Sequence, residues 1–338
     1  LSLSLSLSLS LSLSLSLAFR NRLRRNIRKA KRDHLKKLLE QTKNDPKKQA
    51  RILKSVIPSK QQNRAPPTTI TYKGKSSNNP ADIANALNDH FITIGHRTSQ
   101  TIPALPDDYR MPEPDNSDLP PFTLTHTTTE KVTETMNKID PHKASDIYKI
   151  KPIIIKDLTP TLAPILTTLF NQAIDEHNYP DSLKATKVIA LYKKQDKTLP
   201  ANYRPISLLP IIAKIFDTII NQQIMTHLYN HNILSPTQYA FRANSSTTLA
   251  LQTIMNKIHS HKKQRHPLLA IYIDLSKAYD TISHAKLLHK LSELNFTTVT
   301  IEFFKSYFHN RQQSTHTIYA QSTTRTITHG IPQGSTLS

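Results

Sequence analysis

Cysteine and tryptophan are absent from the 338 residues, glycine occurs 4 times, and 24 Asp and Glu face 45 Lys and Arg. Without cysteine the chain has no disulfide, no thiolate zinc site and no cysteine nucleophile, which suits a reducing compartment. Ordinary usage would supply roughly 24 glycines at this length, so the placing of the few is informative: Gly330 and Gly334 both fall close to the end of the sequence. No run approaches the roughly 18 consecutive apolar residues of a membrane span. The basic start and continuous apolar core of a secretory leader are also missing. An intracellular protein without a membrane partner is expected.

What is present is positive charge. The net charge is +21 with pI near 10, an excess that points first to a nucleic acid and second to an anionic surface. From Arg20 to Arg64 there are 17 Lys and Arg against 3 Asp and Glu, so +14 of the total lies in one segment. Leu23, Ile27, Ala30, His34 and Leu38 recur there at three- or four-residue spacing, predicting a helix over 18–42. Arg24, Arg25, Arg28 and Lys29 on it are candidates for lying along a phosphate backbone; a solvated helix face is the equal alternative.

Four segments follow. Residues 1–17 alternate Leu and Ser; period two would give a strand with one leucine face, but a CT-dinucleotide repeat encodes the same pattern, so the segment is set aside as a translated repeat. Residues 18–62 are the basic helical segment. Residues 63–126, rich in Pro, Ser, Thr and Asn, read as a linker with one docked helix at "ADIANALNDHFITIG". Residues 127–338 carry the main domain. Helices are expected around Val132–Ile139, Leu162–Ile174, Ile212–Gln223 with Pro210 in the first turn, Leu251–Ile258 after Ser246, Leu287–Leu291, and Phe303–Phe308. Strands are expected at "KVIALY", at Leu268–Ile273, and as a pair at "QSTHTIYA" and "TRTITHG". Without a regular βαβ rhythm, the fold class is α+β.

Asp274 ends the apolar run "LLAIYI", and a carboxylate there is costly unless a cation meets it. Delivery to a metal ion is one reading, capping of the next turn another. "DLSKAYD" resembles the first palm motif of reverse transcriptases, where Phe or Tyr follows the Asp by five positions. "YRPISLLPIIAKIFDTIINQQI", "QYAFRANSSTTLALQTI", "KSYFHNRQQS" and "HGIPQGSTLS" stand around it in the expected order. Together they resemble the reverse transcriptase of non-LTR (LINE-type) retrotransposons over roughly residues 18–338.

The resemblance implies a right-hand polymerase, fingers and partial palm, behind the basic helical segment and linker. It implies two-metal nucleotidyl transfer from dNTPs, with an RNA template and DNA primer as partners and two Mg2+ ions, Mn2+ as the alternative, as cofactors. It implies a ribonucleoprotein in the nucleus, the cytoplasm or both. Asp274 matches the metal-binding aspartate and Leu275 offers its carbonyl. Tyr279 matches the steric gate that excludes a ribose 2′-hydroxyl. Arg204, with Lys193 or its neighbour Lys194, matches the residues gripping the triphosphate. Gln333 and Gly334 match the motif beside the nucleotide sugar and templating base, and Arg242 matches a template contact.

The sequence departs from the pattern in several places. No Tyr-x-Asp-Asp motif occurs; the only adjacent pair of aspartates, Asp107–Asp108, lies in a proline-flanked loop and does not replace it. "HKASDIYK" lacks the usual glycines, and Ala240 stands where Gly precedes Phe-Arg. No endonuclease domain precedes the basic segment. The expectation is a partial copy of a retrotransposon reading frame, without polymerisation by this chain. A non-catalytic nucleic-acid binder and a group II intron maturase remain as alternatives; Tyr279 argues against a viral RNA polymerase. Asp280 is expected to tie down the turn before a helix near Ser283, and "HSHKKQRH" to be a solvated loop.

Overall fold

The computed structural model describes residues 2–43, 45, 48–49, 52, 67–101, 119–275 and 277–337, with backbone alone for 2–19. Asp107–Asp108 lies outside them. The chain divides into two units, Leu1–Ala65 and Pro66–Ser338.

In the first unit one helix, α1 (Ser2–Gln41), runs unbroken through the Leu-Ser repeat. The segment set aside as a translated repeat is thus helical rather than the strand that period two alone would give. A helix satisfies its own backbone hydrogen bonds, whereas a lone ribbon needs a neighbour, and leucine is a strong helix former. Arg24, Arg25, Arg28 and Lys29 are all exposed on it.

The second unit begins with a hairpin that the sequence did not announce, β1 (Ile70–Tyr72) and β2 (Lys75–Ser77), closed by Lys73 and Gly74 at positive φ. The helix α2 (Pro80–Thr101) follows. The docked helix expected here packs into the unit. Ile70, Ile83, Leu87 and Phe91 form one core cluster with Val188 and Tyr203.

Next come α3 (Thr129–Asn137), α4 (Pro152–Asp157) and α5 (Thr159–Asp175). Thr128 caps α3, its hydroxyl accepting from the Lys131 amide, as the threonine run suggests. β3 (Thr186–Tyr192) and β4 (Tyr203–Leu208) lead into α6 (Ile211–Asn230). Ser246 caps α7 (Thr247–Lys263), accepting from Leu249 N–H, and Ser283 caps α8 (His284–Glu293), accepting from Lys286 N–H. α9 (Thr298–Phe308), β5 (Gln312–His316) and the two-residue β6 (Arg325–Thr326) complete the order.

The four-stranded sheet runs β4-β3-β5-β6; β3 and β5 are parallel and the other neighbours antiparallel. This is the mixed α/β arrangement expected. The larger core, around Phe170, Phe216, Tyr179, Phe303 and Tyr307, lies among the helices, with Phe170 and Phe216 stacked at 4.4 Å.

Two expectations fail in this unit. Leu268–Ile273 is not a buried strand: no residue of the run pairs with a strand, and Leu269 and Ile273 are 85% and 84% exposed. Apolar composition favours a strand only when a neighbour supplies backbone partners, and none of the described strands flanks this run. The "HSHKKQRH" stretch is not wholly a loop, because α7 continues to Lys263.

Asn88 fastens α2 to β5. Buried on the helix, its amide oxygen accepts from Gln313 Nε2 and Thr315 Oγ1 at 3.1 Å each, while its Nδ2 donates to the Thr323 carbonyl at 3.0 Å. Asn88→Leu leaves two buried donors, Gln313 Nε2 and Thr315 Oγ1, unpaired, so a loss of about 2–4 kcal/mol is expected in denaturant unfolding; a loss below about 0.5 kcal/mol would show that the staple is incidental.

Candidate nucleotide site

β3 and β4 pair with Tyr192 opposite Tyr203 and Leu191 opposite Arg204. One position on, Lys193 N–H donates to the Asn202 carbonyl at 2.9 Å. Side chains alternate across the sheet. Val188 and Tyr203 face the α2 cluster, while Ile189, Leu191, Arg204 and Ile206 are exposed. Lys193, two positions from Leu191, shares the open face with Arg204.

The free edge of β4 meets the segment after β6. Ser207 N–H donates to the Gln333 carbonyl at 2.9 Å, about 10 Å along the strand from Arg204 at 3.3–3.4 Å per residue. Gly334 stands at φ +125, and a Cβ there would lie 2.7 Å from the Ser207 carbonyl oxygen. Ser335 Oγ donates to Asp217 Oδ2 at 2.6 Å. Upstream, Ile331 N–H donates to the Tyr279 carbonyl at 2.9 Å and Gly330 N–H to that of Ile282 at 2.8 Å. A Cβ on Gly330 would meet Tyr279 O at 2.9 Å, and one on Gly95 of α2 would strike the Asp280 carbonyl. Two of the four glycines, Gly95 and Gly330, therefore permit close backbone approach at the Tyr279–Asp280 turn, and Gly334 permits it at the β4 edge.

The structure thus joins Tyr279, Gln333, Gly334 and the strand bearing Arg204. It does not join Asp274 to them. Asp274 and Leu275 are exposed, and Asp274 has no hydrogen bond or ion pair with any described residue. Arg242 is half-buried and engaged locally: Nη1 donates to the Ser235 carbonyl at 2.6 Å, and the guanidinium lies 5.7 Å from the Tyr229 ring centre. Among the described residues no group of three or more His, Cys, Asp or Glu could hold a metal ion.

Asp280 does more than close a turn. Burial pushes its carboxyl up to about 6, with Lys277 opposing. Burial also lowers Lys277, and Lys277 Nζ lies 3.5 Å from His90 Nε2. His90 is pushed down to about 4 by burial, then by the charges of Lys277 and Arg97. A cavity bounded in part by Asp280, Gln313 and Gln333 measures about 30 Å³, room for a water and not for a base.

Sequence reasoning missed Asp217. It is fully buried on α6, accepts from Tyr179 Oη at 2.9 Å as well as from Ser335, and burial raises its carboxyl. Its signal was an acid between Phe216 and Ile219 on an otherwise apolar helix face. Arg311, also fully buried, lies 4.3 Å from the Tyr307 ring centre; nothing in "YFHNRQQS" marks it as internal.

Residues 192–338 match the family described as reverse transcriptase (RNA-dependent DNA polymerase). The second unit carries a reverse-transcriptase-like domain. The probable RNA-directed DNA polymerase from transposon X-element of Drosophila melanogaster is 28% identical over 51% of this chain and 19% of its own length. The RNA-directed DNA polymerase from mobile element jockey of Drosophila funebris is 26% identical over 62% of the chain and 23% of its length. The Pol polyprotein from type-1 retrotransposable element R1 of Bradysia coprophila is 27% identical over 49% and 16%. The similarity is thus to polymerases of the non-LTR retrotransposon kind, and the chain spans about a fifth of the length of the relatives it matches. No described helix is long and apolar enough to cross a membrane.

The folded chain binds the Asp280 proton more tightly than an unfolded chain with its ordinary value of 3.8. Its contribution is therefore intact below about pH 4 and is lost as pH rises toward 6. Asp280→Asn keeps the neutral form throughout. The variant should melt higher than the parent at pH 8, and the two should converge below pH 4. A parent that melts higher at pH 8 would mean the ionised acid is well paired.

Proposed function

We propose that the second unit is the nucleotide-handling part, fingers and the first half of the palm, of an RNA-directed DNA polymerase of the non-LTR retrotransposon type. Its partners in this reading are an RNA template, a DNA primer and dNTPs. The observation that supports it best is the junction of the Tyr279 turn, the Gln333–Gly334 segment and the β4 edge through Ile331 N–H and Ser207 N–H, each 2.9 Å from its acceptor. Arg204 offers a planar fork to phosphate oxygens, and Lys193 a point charge beside it. Tyr279 walls off the ribose 2′-hydroxyl, and Gln333 lies beside the sugar and templating base. Arg242 and the α1 cations Arg24, Arg25, Arg28 and Lys29 take nucleic-acid phosphates.

Magnesium accepts one or two carboxylates when phosphates and water complete its shell. Asp274 and the Leu275 carbonyl would supply two ligands to one ion, Mg2+ or Mn2+, but exposed as they are they neither preorganise it nor make a two-ion site. A bound ion supplies charge neutralisation and activation of the attacking oxygen; the chain's own contribution is to grip the triphosphate and select the sugar.

A second reading, a basic nucleic-acid binder without catalysis, is favoured by the solvent exposure of Asp274. If α1 neutralises about six phosphates, log affinity should fall against log salt with a slope of about −5.

The two readings part on sugar selection. With an RNA template, a DNA primer and Mg2+, a fluorescent dNTP should bind at least tenfold better than its ribonucleotide. Tyr279→Val should remove the preference, and Arg204→Ala should weaken both nucleotides by roughly tenfold, about one charge-assisted hydrogen bond. Equal affinity for the two sugars in the parent would leave only the binder.

A further inference from the structure

A separate cleft of about 630 Å³ opens between the Pro121–Lys131 segment and α6. Six buried side-chain polar atoms among the described residues have no hydrogen-bond partner, and three of them, Thr127 Oγ1, Gln222 Oε1 and His227 Nε2, belong to side chains lining this one cleft. Unpaired buried polar atoms are rare because each has lost its water without compensation. Three in one place mark a surface shaped for donors and acceptors that the protein does not itself supply.

The rest of the lining narrows the ligand. Phe122 packs against His227 at 5.0 Å and Phe296 at 4.6 Å between ring centres, and His231 lies 4.8 Å from His227. Burial and the nearby His231 hold His227 below its usual value, leaving a neutral imidazole that accepts or donates. No carboxylate lines the cleft, but its basic side chains are engaged at the rim, Lys131 Nζ 3.1 Å from Glu134 Oε2 and His126 Nε2 2.7 Å from Asp175 Oδ1. An aromatic side chain beside a hydrogen-bonding edge is the means by which single strands are bound one base at a time. The volume falls within the roughly 300–1,000 Å³ of ligand pockets.

We infer that this cleft takes one unstacked base of a single-stranded nucleic acid, its ring against the cleft-lining His227 imidazole that Phe122 backs, and its polar edge toward Gln222 and Thr127. The inference rests on the reading of nucleic acid as partner, but not on the nucleotide site. It is tested with near-isosteric apolar substitutions, Gln222→Met and Thr127→Val, in the full chain. Short RNA and DNA oligonucleotides serve as probes at high salt, where phosphate attraction is suppressed.

Removing an unpaired buried polar atom should leave the melting temperature unchanged or raised, while oligonucleotide affinity falls roughly five- to tenfold for each variant. Binding indifferent to both substitutions overturns the inference. So does a lowered melting temperature accompanying the loss, which would mark these atoms as structural. Failure here with dNTP-over-NTP preference intact refutes the cleft alone. Lost sugar preference with these affinities as expected refutes the nucleotide site alone.

Discussion

The hydrogen bond from Ser207 N–H to the Gln333 carbonyl, 2.9 Å long, is the constraint on which the arrangement of the candidate site depends. β4 is an edge strand, and its outward amide would otherwise stand unpaired. Taking that amide draws the Gly330–Ser335 segment along the sheet. Gly334 lets the backbones close, and Ser335 then reaches Asp217 inside the helical core. A buried acid thus fixes a surface segment. Desolvation opposes its charge, but two hydroxyl donors, Tyr179 and Ser335, favour keeping it where it is.

Much of the local structure was legible from periodicity and capping. Ser246 and Ser283 announce their helices because a hydroxyl can accept from the amide three residues on. The spacing of Phe303, Phe304, Tyr307 and Phe308 marks one buried face. The scarcity of glycine directed attention to Gly330 and Gly334, and both lie where another backbone leaves no room for a Cβ. The β1–β2 hairpin escaped notice because its two strands are only three residues each, too short for alternation to register. Asn88 and Arg311 escaped because burial is a tertiary property and nothing local marks them as internal, whereas Asp217 carried its signal in the apolar helix face around it.

The Leu268–Leu275 run shows the opposite error. Its composition says strand, yet its apolar side chains are exposed and Asp274 with them. β-propensity measures fit to a half-buried pleated surface, and this segment has no such surface among the described strands. The consequence for chemistry is direct. An acid in solvent pays no desolvation and gains no geometry, so Asp274 by itself neither preorganises an ion nor points one at the Tyr279 turn. The polymerase reading therefore rests on the likeness of residues 192–338 to reverse transcriptases and on the clamped β4 edge, not on this carboxylate.

In the proposed reading the two units divide the attraction to nucleic acid into kinds that differ in reach. The segment from Arg20 to Arg64 concentrates +14, and such charge attracts any polyanion, weakens with salt and reads no sequence. The second unit offers contacts that are few and directional: a guanidinium on an open sheet face, a tyrosine beside a fixed turn, and a cleft with unpaired polar atoms. Contacts of that sort discriminate sugar and base but act only at hydrogen-bond range. Carried on one chain, the first raises the local concentration seen by the second. A weak, selective surface then needs only to choose among strands already held, which is the condition under which discrimination by one or two hydrogen bonds becomes sufficient.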